Sequence, residues 1–480
     1  MLWCDPSSPL SLSLSQHSLS PLLVAAMEEE VWDGPRWLYV FQIFACMSVL
    51  CSRVWIKGKS PFLDRVPALG RFTAQFAAFH CLFLCVFLLA SLADGLLQVH
   101  WQALYQSYGL STAEMMTLLA VGHGSSLFLG TFLGISSDSL GRKRASILYC
   151  ILQALGCLAK LSSNYEVLSV GHVCLGLASS LYFSVFEAWM TTEHEKVGFK
   201  QELLSETFWM MAFASGIVGI SSGAIANVLM EQQALSARAP SVVAGFVTFL
   251  CLLTIIFGWN ENVGTLYGGL SKPLLNGIQA LRDKRIALLG LTQAGFDLSI
   301  AVFWLLWTPT LVADGREVQT GLIYACLMGS MMLGSSIAAS FLCGPYNVIP
   351  EIYVPYVLFV AGASLILPAY DYQDIPVLVT CFSVFHICVG IAWPSLARLR
   401  SIYIQNDRRA TMLSLFRAPV SAILLLILIR GVSSTKFENS TVFSIAILGL
   451  MSGAACIRQI AQLRPASSYD NLNWRHRSDV

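Results

Sequence analysis

The stretch Gly134-Ile-Ser-Ser-Asp138-Ser-Leu-Gly141-Arg142-Lys143 is the most informative part of this sequence. It is a short polar interval between two long apolar runs, in a chain of 480 residues that is 56% hydrophobic and only 12% charged. An average soluble domain is about one-quarter charged, so this chain lacks the polar surface that a soluble protein of its size needs. We therefore expect the stretch to form a short loop at the end of a membrane hairpin.

Long apolar runs recur on both sides of this stretch. A membrane-spanning helix needs about 20 mostly apolar residues. By that measure the sequence predicts an all-α polytopic membrane protein with two sets of six helices and one extra helix before them. Its parts are a Ser- and Leu-rich N-terminus at 1–36, an extra helix at 37–51, a first half at 72–258, a polar central loop at 259–285, a second half at 286–460 and a tail at 461–480.

The N-terminal 36 residues match no known targeting segment. They contain no Lys, and Arg36 is the only Arg, so they lack the basic regions of a signal peptide or a transit peptide. A second methionine, Met27, precedes three glutamates. We favour translation from Met27, which would make residues 1–26 an extension of the gene model.

Lys and Arg are concentrated in alternate loops. Cytoplasmic loops of membrane proteins carry an excess of these residues. If every predicted helix crosses once, the loops on one side hold only Lys160, Arg238, Arg316 and Lys436. This asymmetry predicts that the central loop and the tail are cytoplasmic and the N-terminus is outside. The cytoplasmic set includes Arg142, Lys143, Arg144, Lys196, Arg285, Arg400, Arg408, Arg409 and Arg458.

No energy-transducing domain is evident. The chain has no G-x-x-x-x-G-K-[ST] phosphate-binding loop. Two six-helix halves are the repeat pattern of secondary transporters, which bind substrate near the midplane between the repeats. We expect no enzyme activity, because no His/Cys cluster, carboxylate pair or activated nucleophile stands out. We also expect no cofactor and no nucleic-acid partner, only the lipid bilayer around a monomer, and an ion gradient, with protons as a candidate, as the energy source.

Charged residues inside the apolar runs are the candidate site residues, because charge in hydrocarbon normally faces the bundle interior. Arg417 lies two residues before the helix-breaking Pro419, and a guanidinium grips oxyanions through its planar donors. It is expected to contact substrate, to pair with Asp297 or Glu187, or to reach the cytoplasmic surface. Gln293 and Asp297 are four residues apart and share a helix face. Asp297 is either a proton-coupling carboxylate or the counter-ion of Arg417.

Other polar residues are predicted to gate or couple transport. Asp138 is expected to cap a helix and act in a gate, because a short side chain can satisfy exposed backbone donors. Glu187 is expected to form a gating salt bridge with the Arg142–Arg144 loop rather than to carry protons. The remaining candidates for gating or coupling are Arg142, Lys143 and Asp94.

The polar stretch at 134–143 resembles the signature loop of the major facilitator superfamily. Several stretches extend the resemblance, in order, over about residues 70–460 and are similar to the molybdate-anion transporter family. They include Ala93-Asp94-Gly-Leu-Leu-Gln98, Phe183-Ser-Val-Phe-Glu187-Ala-Trp189, Trp259-Asn-Glu261-Asn262, Gln293-Ala-Gly-Phe-Asp297 and Phe416-Arg417-Ala-Pro419. The resemblance implies the major facilitator fold, with a twelve-helix core after one extra helix, and uptake of molybdate across the plasma membrane.

The chain departs from this family at two positions. Gly95 stands where the family usually has Trp, and His172 stands where it usually has Arg. The resemblance therefore makes His172 a titratable positive contact for substrate, beside Arg417 and Gln293.

Two other functions stay open. One is a carrier of another solute, with Trp304, Trp307, Trp393 and Tyr324 lining the cavity; the other is a non-transporting sensor. Burial of Arg417 against Asp297 would favour another solute. Exposure of Arg417 to a cavity with His172 opposite would favour an oxyanion.

Overall fold

The computed structural model of the chain describes residues 40, 44, 47, 48, 67–99, 101–199, 201–231, 237–263, 271–312, 318, 320–343, 348–370, 374–433 and 439–463. The predicted N-terminal segment 1–36 lies outside them, as does the predicted tail beyond residue 463. Of the predicted extra helix at 37–51, four residues are described, and all four are helical and exposed.

The described residues fold into α-helices joined by short connections. Their bounds are α1 Pro67–Val99, α2 Trp101–Ser107, α3 Thr112–Ser125, α4 Thr131–Leu140, α5 Arg142–Ala159, α6 Tyr165–Lys196, α7 Gln201–Glu231, α8 Ala239–Gly258, α9 Ser271–Ala280, α10 Lys284–Leu311, α11 Thr320–Cys343, α12 Pro350–Ser364, α13 Ile366–Ala369, α14 Ile375–Tyr403, α15 Arg409–Ser433 and α16 Asn439–Gln462. A π-helical turn, Ser126–Gly130, joins α3 to α4.

Each of the twelve helices predicted in the two halves has a counterpart. Eleven of the described helices are long and apolar enough to cross a membrane, with α3 and α4 counted as one and α12 and α13 as one. The twelfth counterpart is α5, which has 18 residues but begins with three basic ones, Arg142, Lys143 and Arg144. The chain is therefore a multi-pass membrane protein with the helix order that its apolar runs predict.

The helices form two halves that pack extensively against each other. The first half contains α1–α8 and the second contains α10–α16, and each has its own apolar core. Between the halves, α7 packs against α11, and α15 packs against α3, α4 and α6. The halves therefore touch along two seams, and residues that face inward between the seams are available to a central cavity.

The polar stretch at 134–143 is not the predicted loop. α4 continues through Leu140, only Gly141 breaks the helix, and α5 begins at Arg142. Gly141 has φ +109°, a conformation that favours glycine, and a Cβ there would lie 2.6 Å from the Glu261 carboxyl carbon. The prediction failed because the polar residues Ser136, Ser137 and Asp138 are buried rather than solvated.

Three basic residues assigned to loops are also buried. α14 continues to Tyr403, through a position that was assigned to a loop, and this places Arg400 inside the bundle with 2% exposure. Arg409 at the start of α15 is 1% exposed. Lys160, at the opposite end of the bundle, is 6% exposed and donates to the Leu97 carbonyl at 3.2 Å. The charge asymmetry used for orientation therefore includes residues that do not face water.

The central segment predicted as a loop is partly ordered against the bundle. Trp259 is buried and stacks on Trp189 with ring centroids 3.8 Å apart. Asn262 donates to the Trp189 carbonyl at 3.1 Å, and its own carbonyl accepts from the Arg142 backbone N–H at 3.1 Å. The short helix α9 lies further along this segment and contacts α4 and α15. Several stretches that carry the family resemblance are thus packed together at one end of the bundle.

Candidate functional site

A narrow cavity of about 70 Å³ lies between the two halves and opens to the outside. Helices α1, α6 and α7 of the first half line it, together with α10, α14 and α15 of the second. Its charged and amide side chains are Glu187, Gln293, Asp297, Arg400 and Arg417, and its aromatic ones are Phe87, Tyr182, Phe183, Phe186, Phe208 and Trp393.

An ion pair crosses this cavity from one half to the other. Arg400 on α14 donates through Nε to Glu187 Oε1 at 3.0 Å and through Nη2 to Glu187 Oε2 at 2.5 Å. The side chains are 3% and 11% exposed, so water screens the pair weakly. Arg409 lies behind it, with its Nη1 3.7 Å from Glu187 Oε1. Glu187 therefore links α6 to both α14 and α15.

The predicted salt bridge between Glu187 and the Arg142–Arg144 loop is not the observed arrangement. Arg142 is buried and donates instead to Asp138 Oδ1, at 2.6 Å through Nη2 and 3.1 Å through Nε. It also donates to Thr192, on the same helix as Glu187. Glu187 instead binds arginines of the second half. These lie more than 200 residues away in the sequence, so no local pattern predicts the pairing.

A second ion pair lies deeper in the second half. Gln293 Nε2 donates to Asp297 Oδ1 at 2.8 Å, which confirms that these residues share a face of α10. Asp297 Oδ2 lies 3.9 Å from Arg417 Nη1, and both side chains are 17% exposed. The Arg417 guanidinium lies 3.5 Å from the centre of the Phe183 ring. Its Nε has no hydrogen-bond partner among the described residues.

The two ion pairs are joined into one chain. Arg400 Nη1 donates to Gln293 Oε1 at 2.5 Å. Each residue of this chain is bonded or paired to the next, and Glu187 is the member that belongs to the first half. We call it the cavity chain, in the order Glu187, Arg400, Gln293, Asp297 and Arg417. With every group in its usual ionised form, it holds two positive and two negative charges and is neutral.

Asp138 and Arg142 mark one end of the bundle, which we call the signature end. Asp138 Oδ2 accepts from the Thr411 backbone N–H at 2.8 Å and from its hydroxyl at 2.9 Å, so it caps α15, as the sequence predicts for a helix cap. Arg142 Nη2 donates to the Asn406 carbonyl at 2.5 Å. The side-chain amide of Asn406, in the second half, donates to the carboxylate of Glu195, in the first half. These contacts hold the halves together at this end.

Lys143 does not take part in that closure. Its ammonium donates to the Ile256 carbonyl of α8 at 2.8 Å, and its backbone N–H donates to Glu261 Oε1 of the central segment at 2.9 Å. Neither hydrogen bond reaches the helices of the second half, and the gating role of Lys143 stays a prediction.

His172 and Asp94 lie outside the cavity lining. His172 Nε2 lies 2.7 Å from the Tyr105 hydroxyl and its side chain is buried, so it does not stand opposite Arg417. Asp94 Oδ2 accepts from Gln98 at 2.6 Å within α1. Of the four aromatic residues proposed for another solute, only Trp393 is among the lining residues; the other three pack on one another, at Trp304, Trp307 and Tyr324.

Arg400 is the functional candidate that sequence reasoning missed. A signal was present, because Trp393, Ala397 and Arg400 follow steps of four and three residues and so share one helix face. Arg398 and Arg400 were nevertheless interpreted as the end of a membrane-spanning helix, because both are charged. Among the described residues, no group of three or more His, Cys, Asp or Glu stands in position to hold a metal ion.

Comparison with known proteins agrees with this architecture. A family model described as sugar transporters of 12 transmembrane helices matches residues 39–390. The molybdate-anion transporter of Xenopus tropicalis is 30% identical over 372 residues, covering 76% of this chain and 82% of that protein. The molybdate-anion transporter of Takifugu rubripes is 28% identical over 412 residues, covering 80% and 85%.

Solved structures share the fold at low identity. A bacterial homologue of the iron transporter ferroportin, in its outward-facing state, matches with a TM-score of 0.64 and 14% identity over 80% of this chain and 99% of that one. The human organic anion transporter MFSD10 (TETRAN) matches with a TM-score of 0.59 and 13% identity over 79% and 99%. With the helix order, the signature end and the relatives together, this chain belongs to the molybdate-anion transporter family of the major facilitator superfamily.

Proposed function

We propose that this chain is a secondary transporter that takes up molybdate or a similar small oxyanion by alternating access of the central cavity. The observation that carries the proposal is Arg417, a half-buried residue that lines the cavity and whose buried Nε is unpartnered in the described part of the chain. Guanidinium donors in a fixed planar fork suit oxyanions. The names of the relatives point to the same class of substrate.

Arg400 is the second positive contact in this proposal. It lines the same cavity, and an oxyanion that reaches both arginines competes with Glu187 and Asp297 for their donors. Gln293 lies between the two arginines and is hydrogen-bonded to Arg400 and to Asp297. His172 is left out of the binding set, because it is bonded to Tyr105 away from the cavity lining.

Protons are the proposed coupling ion. The cavity chain is neutral when empty, so a dianion adds two negative charges that the site does not balance. Protonation of Asp297 or Glu187 would compensate them and free a guanidinium at the same time. Exchange against another anion would balance charge equally well, and the dependence of uptake on external pH separates the two.

The proposed orientation keeps the signature end in the cytoplasm of a plasma-membrane protein. Basic residues that remain exposed at that end support it, among them Arg144, whose side chain is 77% exposed, and Lys196, at 47%. The C-terminus is then cytoplasmic.

Uptake of labelled molybdate at submicromolar concentration, in cells that lack their own transporter, tests the proposal. The comparison is between wild type, Arg417→Ala and Arg144→Ala, at two external pH values and with the amount of protein at the surface measured. Arg144 is a matched control, because it is an exposed arginine whose ion pair contributes little. We expect uptake in wild type and Arg144→Ala, and loss in Arg417→Ala.

Two results would contradict the proposal. Wild-type protein at the surface without molybdate uptake would remove molybdate as the substrate. Normal uptake by Arg417→Ala would remove the cavity arginine as the anion contact.

A carrier of an uncharged organic solute is the second candidate. The aromatic part of the cavity lining favours it, with Phe87, Tyr182 and Trp393 on facing helices, and so does the pairing of Arg417 with Asp297. The description of the matched family as sugar transporters points the same way. Uptake of labelled sugars by wild-type protein that does not take up molybdate would reveal such a substrate.

A further inference from the structure

Gln293 joins the two ion pairs of the cavity. Its Oε1 accepts from Arg400 at 2.5 Å and its Nε2 donates to Asp297 at 2.8 Å, and the side chain is 6% exposed. An amide carries an acceptor and donors on one planar group. It can therefore bind a cation on one side and an anion on the other, which neither a carboxylate nor an ammonium can do.

The two ion pairs that it joins do different things. Arg400 and Glu187 connect α14 of the second half to α6 of the first, so this pair holds the halves together. Arg417 and Asp297 both belong to the second half, and they are 3.9 Å apart, a loose contact beside the open cavity. An arriving oxyanion can therefore contact Arg417 of the loose pair before it competes with Glu187 for Arg400.

We propose that Gln293 is a positioning residue that transmits oxyanion binding at Arg417 to the ion pair between the halves. The inference rests on the proposed function and deepens it. When an oxyanion takes the Arg417 guanidinium, Asp297 loses its counter-ion and holds the Gln293 amide more strongly, because an ionised carboxylate without a cation relies on its remaining hydrogen-bond donor. The amide then shifts toward Asp297 and withdraws its oxygen from Arg400. Arg400 loses an acceptor that aligns it with Glu187, and the halves are released at the signature end.

A variant at this position separates transmission from binding. Gln293→Met keeps the length of the side chain and removes both polar atoms. The two ion pairs stay intact, and only the link between them is lost. Thr292→Val is the matched control, because Thr292 is the buried neighbour on the same helix and its hydroxyl donates to the Leu288 and Gly453 carbonyls, away from the cavity.

The readout is closure of the signature end as well as uptake. Glu195→Cys and Asn406→Cys place one thiol on each half where the two native side chains touch. Disulfide formation between them, followed by mass spectrometry of the linked peptides in the full-length chain, reports how often this end is closed. It is measured with and without molybdate, in the wild-type, Gln293→Met and Thr292→Val backgrounds.

We expect molybdate to lower the crosslinking rate in the wild-type and Thr292→Val backgrounds and to leave it unchanged in Gln293→Met. For uptake without the added cysteines, we expect Gln293→Met to lower Vmax about tenfold, the effect of losing a hydrogen bond to a charged group, with KM changed less than about threefold. A merely structural role would lower the amount of folded protein and leave the molybdate response of the surviving molecules intact.

The outcomes separate this inference from the proposed function. If wild type neither transports molybdate nor changes its crosslinking, the proposed function fails. If wild type transports and responds, and Gln293→Met responds to molybdate equally, the positioning role of Gln293 is overturned while the oxyanion carrier stands.

Discussion

Replacing Arg400 by Met tests whether the ion pair between the halves closes the signature end. Glu187 would lose hydrogen bonds of 3.0 and 2.5 Å and would keep only the Arg409 contact at 3.7 Å. Removing one partner of a buried ion pair costs about 3–5 kcal/mol. We take about 3 kcal/mol, because Arg409 remains as a partial counter-ion. At 1.4 kcal/mol per factor of ten, the closed population falls about 100-fold relative to the open one.

The crosslink between Glu195→Cys and Asn406→Cys measures this population. With opening and closing fast relative to thiol chemistry, the rate follows the closed fraction, so Arg400→Met slows crosslinking. A second variant, Arg400→Met with Glu187→Gln, no longer buries an unpaired carboxylate. We expect its crosslinking rate to be about tenfold higher than that of Arg400→Met alone. Crosslinking by Arg400→Met at the parent rate would refute the reasoning, and so would a double variant no faster than the single one.

Three further predictions concern the anion contact and the close approaches of helices. Arg417→Lys keeps the positive charge but loses the planar fork, so we expect the KM for molybdate uptake to rise about tenfold at equal surface amount; an unchanged KM would contradict this. Gly134→Val directs methyl groups at a serine of α15, so the same disulfide assay should show the halves held apart, at a cost of about 1–3 kcal/mol. Gly295→Ala places a Cβ against the Gly449 carbonyl, whereas Gly431→Ala meets open space. Thermal unfolding in detergent should therefore show a loss of about 1–3 kcal/mol for Gly295→Ala alone.

The helices could be predicted from the sequence because a bilayer imposes their length. Every backbone group in hydrocarbon must be bonded within its own helix, so each run of about 20 apolar residues has one available structure. The prediction of helix ends failed where polar residues were assumed to be exposed to water. The ends of α4 and α14 are polar, yet they are buried against the opposite half, and the helices continue there.

The candidate site was predictable only where its residues are close in sequence. Gln293 and Asp297 lie on one turn, and helical geometry alone places them together. Arg417 could be singled out as an intramembrane charge, but whether it met Asp297 or Glu187 depended on packing between helices. The pairing of Arg400 with Glu187 joins positions more than 200 residues apart, and no local pattern encodes it.

The neutrality of the cavity chain has a consequence for membrane voltage. Moving one elementary charge across a potential of 100 mV changes its energy by about 2.3 kcal/mol. Glu187 and Asp297 balance Arg400 and Arg417 when the cavity is empty, so these four residues add no net charge to the reorientation of the unloaded carrier. At this site, voltage then acts only on the step in which the carrier moves substrate. The size of the effect depends on how far the negative charge of the substrate exceeds the positive charge of the ions that move with it. The resting potential would thus act on loaded transport at this site, while these four residues would not make the return of the empty protein depend on voltage.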